Sequence, residues 1–458
     1  MEETSGEIQK QTLYDEHQAL SDVEEYDEPI AFDSTTDVNS YTTENKTLLD
    51  DIWVLWKKYL DYFVVSNSEL KKVYFHVLLG VYLTDKEYSY LESGSSRSLR
   101  LHCFGIQNSG TGKGQMMTSL HNQLAYMGIE SRKTIKDNET SMSGSIYKDK
   151  KNGKTVMRKG LLHKLKCHIW LEGSVLLNPS PYMDSVTDML QGVMDEPGEV
   201  SKGMKYGTVE YPSPTTIIAG SYMFNEFQTT LMKKGFLQRM YISYKIFTEA
   251  EERDMRIGVN QLKMRRDPEK IKQCMEGIKA LCAKIKVRNE PIRFSDSAIS
   301  KFNADLEKVY QEYITNQFVG EKQEILKTFF NRFHCIVDKI AAQVAIVKGK
   351  KEVEYDDMLY ARELCEYHLQ SLLHIFDSMT SSKAINVFDN REDVIVSFVR
   401  KANGGIVLSD LLDILKQLKK KGNWDLGYNR SLEVINKMIN KKIINTAEGK
   451  GHTKILFI

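Results

Sequence analysis

The chain has 458 residues, and at roughly 150 residues per domain that length predicts about three domains. Apolar residues make up 41% and charged residues 27%, a balance that excludes wholesale disorder, a collagen-like repeat and a small disulfide scaffold. The net charge of +1 hides an asymmetry: residues 1–50 are strongly acidic with only Lys10 and Lys46 as bases, so the rest of the chain is basic and suits a polyanionic partner.

Residues 1–47 are rich in Glu, Asp, Ser and Thr without an apolar period, and are expected to form a disordered acidic tail that solubilises the chain or recruits a partner. This start has no signal-peptide pattern, and the longest apolar run, Val73 to Leu83, is too short to span a bilayer. The expected location is therefore cytoplasmic, with no membrane partner. Cys103, Cys167, Cys274, Cys282, Cys335 and Cys365 form no C-x-x-C pair, which argues against a zinc ribbon or a secreted disulfide framework.

Between Leu48 and Leu91 the spacing of Ile52, Trp53, Trp56, Leu60 and Phe63, then Val73, Val77 and Leu78, predicts two helices. The segment Glu92–Ser98 reads as a linker. Strand signals at Leu99–Phe104, Cys167–Leu171, Thr215–Ala219 and Met240–Ile246 alternate with helical stretches at Gln115–Tyr126 and Ser185–Met194. That alternation predicts an α/β fold with a mostly parallel sheet covered on both faces. Ile146–Arg158 predicts a hairpin turning at Asn152-Gly153. Residues 268–378 read as helical throughout, most clearly at Lys327–Val347 and Tyr355–Ser378. From about Arg391, helices at Asp393–Arg400, Ser409–Leu418 and Asn429–Asn440 precede strands at Ile443–Thr446 and Thr453–Phe457, the order of a winged helix.

The strongest chemical signal runs from Phe104 to Gly114. A strand leads into a loop whose amides can converge on phosphate oxygens, and Lys113 stands where a helix begins. Asn108, Ser109, Gly110, Thr111, Gly112, Lys113, Gly114 and Gln115 are the expected nucleotide contacts. The pattern G-x-x-x-x-G-K-[ST] is met in part, with Gln107 at the leading glycine and Gly114 at the hydroxyl position. Such a loop needs an acidic residue at a neighbouring strand end, and Glu172 after Cys167–Leu171 supplies one carboxylate where two are usual. Arg239, just before a strand, is placed to reach a neighbouring subunit's γ-phosphate; an ordinary surface ion pair is the competing reading.

In this order the elements of residues 70–380 resemble the AAA+ core of minichromosome-maintenance (MCM) type helicases. His76–Gly80 resembles the helix before that core, Arg97–Met117 its first strand and Walker A loop, and Cys167–Glu172 its Walker B strand. Ile146–Arg158 falls where the family has a hairpin inserted into a helix. Met194–Gly207 resembles the stretch ending in the pre-sensor hairpin, with Lys202 or Lys205 as its channel lysine. Thr215–Ser221 resembles the sensor-1 strand, with Ser221 in place of the usual Asn and Asn225 close by. Gly235–Arg239 resembles the arginine-finger segment, and Asn331–Ile346 a lid helix that puts Arg332 at sensor 2. The family's large N-terminal domain is absent, and neighbouring AAA+ families, viral and plasmid replication helicases among them, share the spacing.

The resemblance implies an AAA+ P-loop NTPase core at residues 99–250, after a helical lead-in at 48–98 and before a helical lid at 251–385 and a winged helix at 386–458. It further implies ATP and Mg²⁺ as cofactors, with Glu172 serving the metal, and a homo-oligomer, a hexamer by the family's habit, in the cytoplasm of a host if the gene is viral or plasmid-borne. DNA is the expected partner: a single strand in the channel against Lys148, Lys150, Lys151, Lys154, Lys202 and Lys205, and a duplex at the winged helix against Arg430, Lys437 and Lys450. Other replication proteins are candidate partners of the acidic tail. Two alternatives to a ring helicase stay open on the sequence: an ATP-switched initiator or helicase loader, and a catalytically weak scaffold.

Overall fold

The computed structural model describes residues 47–64, 68–149, 153–177, 184–196, 198–222, 235–265, 267–315, 321–381, 395–396, 398–399, 402, 405–420, 426–440, 444–449 and 453–457. The acidic tail and the Asn152 turn position lie outside these. Helix α1 (Leu48–Asp61) starts at Thr47, whose hydroxyl and the Asp50 carboxylate cap each other's backbone, and it buries Ile52, Trp56, Tyr59 and Leu60 along one stripe. Helix α2 (Ser68–Asp85) is buried on nearly every side from Val73 to Val81, as its unbroken apolar run demands.

The segment read as a linker is instead a hairpin, β1 (Ser89–Glu92) with β2 (Ser95–Ser98). Its turn is made by Ser93 (φ 48°) and Gly94 (φ 80°), both in the left-handed region. Strand β3 (Cys103–Gln107) starts four residues later than expected. The preceding stretch is held by side chains: Gln343 Nε2 donates to the Leu99 carbonyl, and Arg100 reaches several carbonyls. Helix α3 (Lys113–Tyr126) leads to β4 (Ser131–Thr134), then α4 (Glu139–Ser143) and a hairpin of β5 (Gly144–Lys148) and β6 (Thr155–Lys159). Strand β7 (Cys167–Trp170), one helical turn at Ser174–Leu177 and α5 (Asp184–Met194) precede a second hairpin, β8 (Glu199–Met204) with β9 (Gly207–Pro212). Strands β10 (Thr216–Ser221) and β11 (Tyr241–Lys245) complete the sheet.

That sheet has five parallel strands in the order β11-β3-β10-β7-β4, flanked by helices, an arrangement compatible with a P-loop type of core. Strands β3, β7 and β10 are buried along their whole length, as expected of central strands covered on both faces. After it come α6 (Glu249–Arg265), α7 (Pro268–Cys282), α8 (Asp296–Tyr310), α9 (Glu321–Val347) and α10 (Tyr355–Ser381). This stretch is not helical throughout. A parallel pair, β12 (Arg293–Phe294) with β13 (Glu352–Val353), interrupts it, and Gln311–Thr315 widens to a π-turn. Strand β11 is an edge, but α10 covers it: His368 Nδ1 accepts from the Ile242 amide at 2.8 Å and Ser371 Oγ from the Tyr244 amide at 3.0 Å.

The last elements are β14 (Ile406–Val407), α11 (Leu408–Lys420), α12 (Tyr428–Asn440), β15 (Asn445–Glu448) and β16 (Lys454–Phe457), with an antiparallel sheet ordered β14-β16-β15. They close over their own apolar cluster, which includes Leu411, Leu415, Ile435, Met438 and Leu456. Among the described residues, no helix is long and apolar enough to cross a membrane.

Candidate functional site

The sheet is parallel, so β3, β7 and β10 end on the same edge, and the loops leaving that edge form the site. Beyond β3 the chain turns at Gly110 (φ 81°) and Gly112 (φ 83°), conformations that L side chains rarely adopt. Gly112 is also the N-cap of α3 and offers no side-chain cap, so the helix start presents bare amides to the loop. Gln107 explains how the loop manages without its leading glycine. Buried at the strand end, it accepts through Oε1 from the Thr111 hydroxyl at 3.2 Å, and the same hydroxyl donates to the Asn108 carbonyl at 2.8 Å.

Lys113 Nζ donates to the Ser221 carbonyl at 2.6 Å. Burial lowers the lysine's pKa, and the Glu172 charge opposes that shift. Glu172 Oε1 accepts from the Ser174 hydroxyl at 2.6 Å and lies 3.5 Å from Ser221 Oγ. The ends of three strands thus bring Lys113, Glu172 and Ser221 together. Gly220 lets the lysine pass: a Cβ there would fall 1.7 Å from Met117 Cε and 3.1 Å from Lys113 Cδ.

Lys113 and Glu172 line a cavity of about 790 Å³ together with the rest of Asn108–Gln115 and Tyr222, the residue after Ser221. Its far wall is apolar, built from Tyr62 and Phe63 after α1 and from Val259 and Leu262 on α6. Helix α6 is also tied to the loop, since Asn108 Nδ2 donates to Glu252 Oε1 at 2.7 Å and Asn108 Oδ1 accepts from the Phe247 amide. Sequence reasoning placed this stretch in the lid without singling out α6. Two signals were available: Met255, Val259 and Leu262 at helical spacing, and the Thr248–Glu251 capping box, seen as Thr248 N donating to Glu251 Oε2 and Glu251 N donating to Thr248 Oγ1.

Arg239 and Arg332 are not part of this group. Arg239 sits in a short 3₁₀ turn before β11, and Tyr241 is level with Cys103 at the start of β3, so the arginine lies at the opposite edge of the sheet. There it forks onto Asp195, with Nη2 to Oδ2 at 2.8 Å, and Nη1 donates to the Gly235 carbonyl. Arg332 Nη1 approaches the same carboxylate at 3.7 Å. Both line a second cavity of about 390 Å³ that Arg97, Arg100 and Lys339 also reach.

The two hairpins stand side by side. Lys148 Nζ lies 5.7 Å and Lys205 Nζ 5.5 Å from the centre of the exposed Tyr206 ring, and the Ile146 amide points at Met204 Sδ at 3.3 Å. Lys154 is exposed on the first hairpin. Lys202 pairs with Glu139 at 3.3 Å, which leaves Lys205, in the turn, as the more prominent lysine. Arg430 and Lys437 are exposed on α12. Asn225, Lys150, Lys151 and Lys450 lie outside the described residues.

No protein-family model matches this chain, and no curated protein matches it. The functional reading therefore rests on the geometry of the site.

Proposed function

We propose that this chain is an AAA+ ATPase resembling the MCM helicase core, and that it works as a ring, a hexamer, coupling ATP hydrolysis to movement along DNA in replication. One observation carries the reading. The loop with Lys113 leaves β3, Glu172 follows β7, and Ser221 ends the strand between them, while Arg239 lies across the sheet, away from that cavity; in this reading it serves a neighbouring subunit's nucleotide. In that arrangement Lys113 holds the β- and γ-phosphates, Glu172 orients the attacking water, and Ser221 senses the γ-phosphate. Arg239 and Arg332 stabilise the developing charge from the adjoining protomer. Helices α9 and α10 take the part of the lid, and β14 to β16 with α11 and α12 that of a winged helix docking on duplex DNA.

One carboxylate and one hydroxyl stand near the lysine, a donor set that fits Mg²⁺ drawing the rest of its shell from water and phosphate oxygens. The ion's contribution would be to neutralise phosphate charge. The paired hairpins, with Lys148 and Lys205 around Tyr206, suit a single strand held through its phosphates and stacked bases.

A second reading, an ATP-switched initiator or loader, is favoured by Gly114 and by the single acid, both of which slow turnover. The test is ATP turnover and unwinding of forked DNA by the full chain, beside Lys113→Ala. The ring-motor reading expects the substitution to cost at least about 100-fold in turnover and to stop unwinding. Turnover without unwinding selects the switch. A parent no faster than the variant defeats the enzyme reading altogether.

A further inference from the structure

Away from the phosphate cavity, one group of side chains has the composition of a transition-metal site. Glu92 at the end of β1, and His334 and Cys335 on α9, each offer one ligand atom, and these atoms all lie within 4.8 Å of one another. His334 Nε2 and Cys335 Sγ are 3.3 Å apart. Around a tetrahedral zinc ion with bonds of about 2.0–2.3 Å, ligand atoms are separated by about 3.3–3.8 Å, so only a small closing movement is needed. All three residues are half-buried, which shields the site without sealing it.

Arg97 Nε holds Glu92 Oε2 at 2.9 Å, which orients the carboxylate and leaves its other oxygen available. Arg332 and Lys339 also flank the thiol.

We infer that Glu92, His334 and Cys335, with solvent in the fourth position, form a zinc site that pins the β1–β2 hairpin to α9. A thiolate beside an imidazole selects zinc over magnesium or calcium, which take oxygen donors. Binding releases the thiol proton to solvent. The ion joins the two elements that carry Arg97 and Arg332, so it fixes one wall of the arginine-lined cavity. None of this depends on the chain being an ATPase.

The test is to strip the full chain with a chelator and titrate it with Co²⁺ alone, following the visible d–d bands and the near-ultraviolet thiolate-to-metal band. The other cysteines are buried, so that band reports Cys335. About one equivalent should bind, with tetrahedral bands that Zn²⁺ displaces. Cys335→Ser should remove the thiolate band, and His334→Ala and Glu92→Gln should each weaken uptake by about tenfold or more. Lys113→Ala should leave the titration unchanged, which separates this site from the nucleotide cavity. No cobalt uptake by the parent, or a thiolate band that survives Cys335→Ser, overturns the proposal. If the variants lose their helical circular dichroism, alkylation of the parent decides: Zn²⁺ should protect Cys335 from iodoacetamide, and equal labelling with and without it overturns the site.

Discussion

At the scale of single residues, two positions decide how the phosphate loop and its support behave. Gly114 has no atom within 4 Å of where a Cβ would stand, and its backbone does not demand glycine, unlike Gly110 and Gly112. What is missing there is a hydroxyl, and nothing steric keeps it out. Gly114→Ser should therefore fold like the parent and raise ATP turnover several-fold at limiting Mg²⁺; unchanged turnover would show that the loop does not hold a metal-bound triphosphate. Arg100 is only 2% exposed and donates to the carbonyls of Val193, Ser213 and Thr215, with Glu196 beside it at 3.4 Å. Removing it leaves those carbonyls without a donor and leaves Glu196 only Lys339, at 3.7 Å, as a cation partner. Arg100→Ala should cost about 3–5 kcal/mol in denaturant unfolding. A loss below about 1 kcal/mol would mean that water replaces the guanidinium.

At the scale of elements, the edge strand β11 depends on a neutral imidazole. His368 Nδ1 can accept from the Ile242 amide only while it carries no proton, and burial pushes its pKa down to about 4. His76, between Gln343 and Tyr360, is likewise lowered to about 4 by burial. Their unfolded-state value is about 6.5, so the stability they confer is complete above that pH and is lost as the pH falls toward 4. The loss is on the order of 3 kcal/mol for each. Thermal melts from pH 7 to 4.5 should show a falling midpoint, less steep in His368→Asn; a flat profile would mean that these rings are hydrated in the folded chain. The same scale shows what periodicity makes legible. Apolar stripes announce α1, α2, α9 and α10, and short apolar runs announce β7, β10 and β11. β2 is written in serines and β4 in Ser-Arg-Lys-Thr, so neither gives an apolar period, and in α6 the spaced Met255, Val259 and Leu262 are diluted by charged residues. Their signals are local: a left-handed Ser-Gly turn and a Thr–Glu capping box. The candidate site divides along similar lines. Lys113 and Glu172 follow from loop and strand-end chemistry, whereas the α6 wall and the Gln107 brace exist only through tertiary contact.

At the scale of the whole molecule, Lys113 and Arg239 stand on opposite edges of one sheet, so the proposed active centre is completed between subunits. Lys113→Ala and Arg239→Ala should each be nearly inactive, yet mixing them should restore activity. A Lys113→Ala protomer still offers its arginine to the intact loop of an Arg239→Ala neighbour, and random mixing makes about a quarter of the interfaces whole. Turnover of the mixture no higher than that of either variant alone would confine catalysis to single chains. The hairpins carry a mechanical corollary. Because Lys148 and Lys205 share the Tyr206 ring and the Ile146 amide rests on Met204, neither ribbon can slide without shedding its grip on the other. Force delivered to one is geared to both, and they would push on a bound strand as a single paddle.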